Sequence, residues 1–183
     1  TFQDRNKENL TLRPEYTTPM IRASITNNLL NELPLKVFGC GPMFRRERPQ
    51  KGRYRQFNQI NFEIFGSHDF FADLELIVIA NEILKSLIPN TNFKLNINSL
   101  GSRDNLADYK RNLSKYFSDK KHNLSEESRK KIHTNPLRIL DSKNISDNEV
   151  AEDAPLIKNF ISNDIKQHFE EVKNGLNFFN IKF

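Results

Sequence analysis

Between Phe57 and Ile64 the sequence FNQINFEI places Ile60, Phe62 and Ile64 at even positions and Phe57, Gln59, Asn61 and Glu63 at odd ones. Successive side chains of a strand point to opposite faces, so this spacing calls for a strand with one core face and one face carrying a ring, two amides and a carboxylate. Just before it, FRRERPQKGRYR crowds arginines around a Pro and Gly turn. The two stretches together predict an antiparallel hairpin, Met43–Arg48 with Tyr54–Phe65, joined at Pro49–Gly52. If the strands share parity, one open face carries Arg45, Glu47, Phe57, Gln59 and Glu63.

The rest of the chain sorts around that hairpin. Residues 1–66 read as strand-rich, with turn signals at Asn6–Asn9 and Gly39–Pro42 and one helix near Pro19–Asn31 capped by Thr17 or Thr18. Asp69–Leu87 reads as a mostly buried helix, and FKLNINS alternates like a strand. From Ser102 the sequence turns charged and helical, with Ser102 and Asp153 as cap candidates, while TNPLRILDSK is a candidate to return to the first domain. The expected division is therefore 1–101 for a partial core, 102–176 for a mostly helical region and 177–183 for the start of a return strand. Both ends break into strand-like runs, which reads as a segment of a longer protein.

With 37% hydrophobic residues and 15 Phe in 183, the chain has material for a core. Its net charge of +5 permits a polyanionic partner without requiring one. Cys40 has no second cysteine to pair with, and His68, His122, His133 and His168 show no metal-ligand spacing with it, so the expectation is a reducing, cytoplasmic setting with no protein-bound metal. The longest apolar run, ELIVIANEIL, is far short of the roughly 20 residues a membrane span needs.

The chemistry of the odd face is suggestive by residue type. A guanidinium binds phosphate or carboxylate bidentately, an aromatic face stacks a base, and a carboxylate accepts from an ammonium or imidazole. A nucleotide beside a small cationic molecule fits such a surface. So does plain solvation, with Arg and Glu in weak surface pairs. The residue types leave both readings open.

GPMFRRERPQKGRYRQFNQINFEIFG resembles motif 2 of the class II aminoacyl-tRNA synthetases, in the form found in histidyl-tRNA synthetases. TLRPEYTTP resembles their amino-acid-binding LRPEGT segment, and TNPLRILDSK a stretch of their insertion region. The resemblance implies an α+β fold: part of an antiparallel class II catalytic sheet flanked by helices, with a helical insertion. It implies activation of histidine by ATP, with Mg²⁺, to an adenylate, then transfer to tRNA(His) by a cytoplasmic, membrane-free homodimer. By position it implies Arg45 on the ATP α-phosphate and the histidine carboxylate, as the catalytic cation. Glu47 and Phe57 would take the adenine, and Arg53 the ATP phosphates. Glu15, Thr17 and Gln59 would take the α-amino group, Glu63 the imidazole, and Arg48 and Gln50 the tRNA.

Tyr16 stands where the family usually has Gly, and Asn61 and Phe62 also depart from its common residues. The family's motif 1 and motif 3 fall outside the matched stretch. Other readings are a non-catalytic synthetase-like subunit of ATP phosphoribosyltransferase and an inactive gene remnant, although the intact RPQKGRYRQF loop favours the enzyme. Lys110, Arg111, Lys115, Lys120 and Lys121 form a candidate basic face toward the tRNA acceptor stem, and Arg129–Lys131 reads as a solvated helix face.

Overall fold

The computed structural model describes residues 1–183 and begins with a small antiparallel hairpin of β1 (Phe2–Gln3) and β2 (Asn9–Leu10). Asp4 Oδ1 ties its turn by accepting the N–H groups of Asn6 and Glu8 at 2.8 and 2.9 Å. Helix α1 (Thr17–Thr26) follows. Its cap is neither expected threonine. Tyr16 holds the cap position without a side-chain bond, and the Glu15 carboxylate accepts the Thr18 N–H at 3.0 and 3.3 Å, serving an orphan donor at the positive end of the helix.

The central hairpin forms, but its first strand is displaced. β3 (Leu35–Phe44) pairs antiparallel with β4 (Gln56–Phe65) in a register from Leu35 opposite Phe65 to Phe44 opposite Gln56. The expected Met43–Arg48 strand overlaps this by two residues, although the Arg45 N–H extends the ladder to Arg55 O at 2.9 Å. The expected turn at Gly39–Pro42 is strand interior. The true turn is tighter: Gln50 and Arg53 exchange backbone bonds at 3.3 and 2.9 Å around Lys51 and Gly52, and Gly52 takes the φ of 78° that a residue with a Cβ resists.

Paired residues share a face, so the register separates two surfaces. The even face carries Phe38, Ile60 and Phe62, with the Phe38 and Phe62 rings stacked at 6.3 Å. Alternation alone predicts that this face meets a core, yet Phe38 is 74% and Ile60 49% exposed. The odd face is the more covered along β4, where Phe57, Gln59, Asn61 and Glu63 are all half-buried and Met43 opposite Phe57 is fully buried.

Helix α2 (Phe70–Leu87) pairs Glu75 with Lys36 of β3 at 2.7 Å. Only Leu74 and Asn81 of it are buried, fewer than its apolar sequence suggests. The chain divides into two units within this helix, Thr1–Leu76 and Ile77–Phe183, rather than at 101/102. FKLNINS forms no strand: the only ladders are β1 with β2 and β3 with β4, and alternation without a ladder partner does not make one.

The second unit is helical, and its main hydrophobic cluster is drawn from residues after 102. Helix α3 (Arg103–Asp119) starts at the expected Ser102, whose hydroxyl accepts the Asn105 N–H at 3.2 Å while Asn105 Oδ1 accepts the Ser102 N–H at 3.1 Å. Its Tyr109, Leu113 and Phe117 recur every fourth residue and are buried together with Ile132 and Ile139. Each such apolar side chain contributes about 1.5–3 kcal/mol on burial. Ile139 places TNPLRILDSK in this unit, not in the first.

Helix α4 (Glu126–Arg129) is a single turn capped by Ser125, and α5 (Ile145–Glu152) is capped by Asn144. Asp147 of α5 is wholly buried. It accepts four bonds of 2.7–2.8 Å, from the Ser125 N–H and from the hydroxyls of Ser125, Ser128 and Ser142. Helix α6 (Asn163–Phe178) begins after Ser162, well beyond the start that a cap at Asp153 predicts. Gly175 lies inside it, and the expected return strand at 177–183 does not form. Instead Asn180, at φ 54°, closes the helix as Ile181 N–H reaches Leu176 O at 2.9 Å and Asn180 N–H reaches Asn177 O at 3.0 Å. Buried Ile181 and Leu176 complete that Schellman closure. No helix is long and apolar enough to cross a membrane.

Candidate functional site

The segment before and within α1 lies across the odd face of the central hairpin. Phe44 N–H donates to Arg13 O at 2.9 Å, Arg13 Nε to Pro42 O at 3.0 Å and Arg45 Nε to Pro14 O at 2.8 Å. Farther along, the Thr17 hydroxyl donates to Glu63 Oε1 at 2.5 Å. These bonds bring Thr17, Arg45, Gln59 and Glu63, expected from sequence to act together, onto one surface.

Three odd positions of β4 are joined in a row. Gln59 Nε2 donates to Asn61 Oδ1 at 3.2 Å, and Asn61 Nδ2 donates to Glu63 Oε1 at 2.7 Å and to Met20 Sδ at 3.8 Å. Glu63 therefore has Oε1 engaged twice and Oε2 with no protein donor. Gln59 keeps its Oε1 free in the same way. Asn61 is the residue that motif reasoning missed. Its signal was its parity: it sits two residues from each of two polar site residues on the same strand face.

At the turn end, the Arg45 guanidinium lies 5.0 Å from the centre of the Phe57 ring. Its Nε is committed to Pro14 O, so the Nη pair is left as a fork for a planar anion. One face of Phe57 is thus covered by Arg45 itself. Glu47 and Arg53 are neighbours at 3.9 Å with exposed side chains, a weak pair that a ligand can separate. Arg48 and Gln50 are exposed beside the Gln50–Arg53 turn. Glu15 stands apart from the row: Thr18, through its side chain and its N–H, holds the Glu15 carboxyl below its ordinary value, so the group is an anion committed to the start of α1.

Tyr16 does not point away. Its ring lies over β3, with Cε1 3.2 Å from where a Cβ on Gly39 would stand and Oη 2.7 Å from one on Gly41, and the Arg13 guanidinium covers the ring at 4.7 Å. Gly39 and Gly41 pair with Asn61 and Gln59, so the ring walls the row on the β3 side. Glycine inside a strand often marks such a close approach, which is why these two read as a turn. Gly39→Val is expected to destabilise the protein by about 1–3 kcal/mol through overpacking. Met20 Cε, 2.6 Å from the same Gly39 position, is the end of a flexible side chain, so in a Tyr16→Gly background, where it has room to move aside, the same change should cost less. Thermal unfolding of the four proteins of this cycle, with equal costs in both backgrounds, would show the ring is not what excludes the side chain.

The basic positions of the helical unit are partly neutralised. Asp108 pairs with Arg111, Glu126 with Lys130 and Glu127 with Lys131, while Arg129 donates to Leu124 O at 2.8 Å and His122 O at 3.0 Å. Lys120 rests on the Tyr116 ring at 4.7 Å.

Residues 1–165 match the family described as the tRNA synthetase class II core domain (G, H, P, S and T). The chain belongs to that family. It is 44% identical over all 183 residues to a histidine–tRNA ligase of Wolbachia pipientis wMel, and 42% identical over the same length to one of Rickettsia canadensis, covering 44% of each. The crystal structure of apo S. aureus histidyl-tRNA synthetase aligns with all of this chain at 29% identity and a TM-score of 0.70, over 42% of its own length. The chain thus has the fold of part of a class II synthetase catalytic domain and spans about 44% of the length of these curated relatives.

Proposed function

We propose that this chain is the central part of a histidine–tRNA ligase, activating histidine with ATP and passing it to tRNA(His). The observation that carries the reading is the row on β4: Glu63 Oε2 and Gln59 Oε1 are unengaged acceptors on the face where Arg45 keeps a free fork. A molecule bearing a carboxylate, an ammonium and an N–H-bearing ring answers all three. Arg45 takes the carboxylate and the α-phosphate, Gln59 and Thr17 the α-amino group, and Glu63 the imidazole N–H. Glu15 acts from the α1 start as a nearby anion favouring the ammonium. Glu47, Arg53 and Phe57 serve the nucleotide, and Arg48 and Gln50 at the turn face the tRNA. In-line attack at phosphorus needs positioning and cations more than covalent help, so no protein nucleophile is required.

No three acidic, histidine or cysteine side chains converge, so the chain offers no cage for Mg²⁺. An ion arriving on the triphosphate is compatible with this, and no step is assigned to it. The full-length protein works as a cytoplasmic homodimer in this reading. The relatives named above are ligases, which gives the non-catalytic subunit no support.

The test is Glu63→Gln in the full-length protein. Glutamine can keep an oxygen toward Thr17 and Asn61 but turns the free Oε2 into an NH₂, which cannot accept from an imidazole. The kcat/KM for histidine should fall at least roughly tenfold while the KM for ATP changes little. Unchanged histidine kinetics with weakened ATP binding would move Glu63 to the nucleotide side.

A further inference from the structure

We infer that Asn61 is the positioning residue of this amino-acid site: it fixes the orientation of both Gln59 and Glu63, so that Gln59 Oε1 and Glu63 Oε2 are the acceptors left for the substrate. The inference rests on the functional reading above and deepens it.

A glutamine amide alone has no fixed direction, since a half-turn exchanges its oxygen and nitrogen. Only the oxygen can accept from an ammonium. The structure sets the direction by a relay that begins at Glu63. An ionised carboxylate only accepts, so it takes the Asn61 NH₂ at 2.7 Å and thereby turns Asn61 Oδ1 the other way. That oxygen only accepts as well, so it draws Gln59 Nε2 at 3.2 Å and leaves Gln59 Oε1 free. Met20 Sδ at 3.8 Å takes a weak contact from the same Asn61 nitrogen. Gln59 and Glu63 are four residues apart, about 13 Å along an extended strand, and Asn61 bridges that span.

The surroundings leave this relay little competition. β3 presents only Gly39 opposite Asn61, with the Tyr16 ring above it. The charged and titratable groups facing the row are Glu63 on its own strand and, from the facing segment, Tyr16 and Arg13, whose Nη2 lies 2.8 Å from where a Cβ on Gly41, opposite Gln59, would stand; Glu15 is engaged by Thr18 at the start of α1. Alanine at 61 would release Gln59 and leave Glu63 held by the Thr17 hydroxyl alone. Aspartate would set a second carboxylate within hydrogen-bond distance of Glu63, where one of the two takes up a proton more readily. Once protonated, the introduced carboxyl restores the relay by donating to Glu63 and accepting from Gln59.

The experiment is histidine-dependent ATP–pyrophosphate exchange by the full-length protein carrying Asn61, Asn61→Ala or Asn61→Asp, with thermal unfolding measured alongside. Asn61→Ala should raise the KM for histidine roughly tenfold and the KM for ATP less than about twofold. Asn61→Asp should be impaired near about pH 8 and should recover, relative to wild type, toward about pH 6, while the Asn61→Ala ratio stays flat. An unchanged histidine KM overturns the inference, as do equal losses for both substrates or an Asn61→Asp ratio indifferent to pH. A wild-type protein without histidine-dependent exchange overturns the functional reading, and the inference with it.

Discussion

Arg45→Ala in the full-length protein is expected to slow histidine-dependent ATP–pyrophosphate exchange by on the order of 10²–10³ in kcat, the loss that follows removal of one donor aimed at developing charge. Two contacts hold this guanidinium in advance: its Nε bond to Pro14 O at 2.8 Å and its stacking 5.0 Å from the Phe57 ring centre. An ordered cation needs no rearrangement when charge accumulates, so the effect should fall on kcat more than on either KM. Arg45→Lys should recover little, because one ammonium cannot bond Pro14 O and also offer a planar fork. A kcat within a few-fold of wild type for Arg45→Ala would remove Arg45 from the chemistry and leave it as a brace between β3 and the segment before α1.

The second large effect lies far from that chemistry in sequence. Asp147→Ala should destabilise the helical unit by about 3 kcal/mol or more, since a charged, buried acceptor of four bonds is lost and the donors of buried Ser128 and half-buried Ser125 and Ser142 lose their partner. For a unit of this size that corresponds to a fall of roughly 10 °C or more in Tm, read by circular dichroism. Asn should rescue poorly, because its NH₂ would meet donors where the carboxylate now accepts. Burial pushes the Asp147 carboxyl up, but the bonds from Ser128, Ser125 and Ser142 outweigh it and hold the group below its ordinary 3.8. A depressed folded-state pKa means this stability is present above the ordinary value and is lost as pH falls below it through the folded value. Asp147→Ala should therefore narrow its deficit against wild type only in that acid range. A constant deficit down through it would show that packing, not the charge, is what Asp147 contributes.

What could be read from the sequence follows what local pattern encodes. The period-two run of β4 was legible because alternation is a property of neighbouring residues, and with it came the shared face of Phe57, Gln59 and Glu63. The Ser102 cap was legible for the same reason: its partner Asn105 is three residues away. The extent of β3 was not, because Gly39 and Gly41 make room for Tyr16, Met20 and Arg13, all nearly twenty or more residues earlier, and nothing near the glycines reveals those side chains. FKLNINS alternates like β4 yet stays irregular, since pattern offers a strand but only a partner completes one. At 177–183, Asn180 in the left-handed region overrides an apolar run by closing α6. Within the site, motif positions supplied the ends of the β4 row, while parity put Asn61 on the same face and only its bonds gave it a role.

The ring of Tyr16 over Gly39 and Gly41 also imposes an order on inheritance. While the tyrosine is present, a lineage gains little from trying larger residues at 39 or 41, since the first step of any such path meets an occupied space. Remove the ring first, and Gly39 faces only the flexible end of Met20, while Gly41 still meets the Arg13 guanidinium and keeps its positive φ. The same pair of changes is then accessible in one sequence of events and closed in the other. Two stretches that never adjoin along the chain thus share a single history.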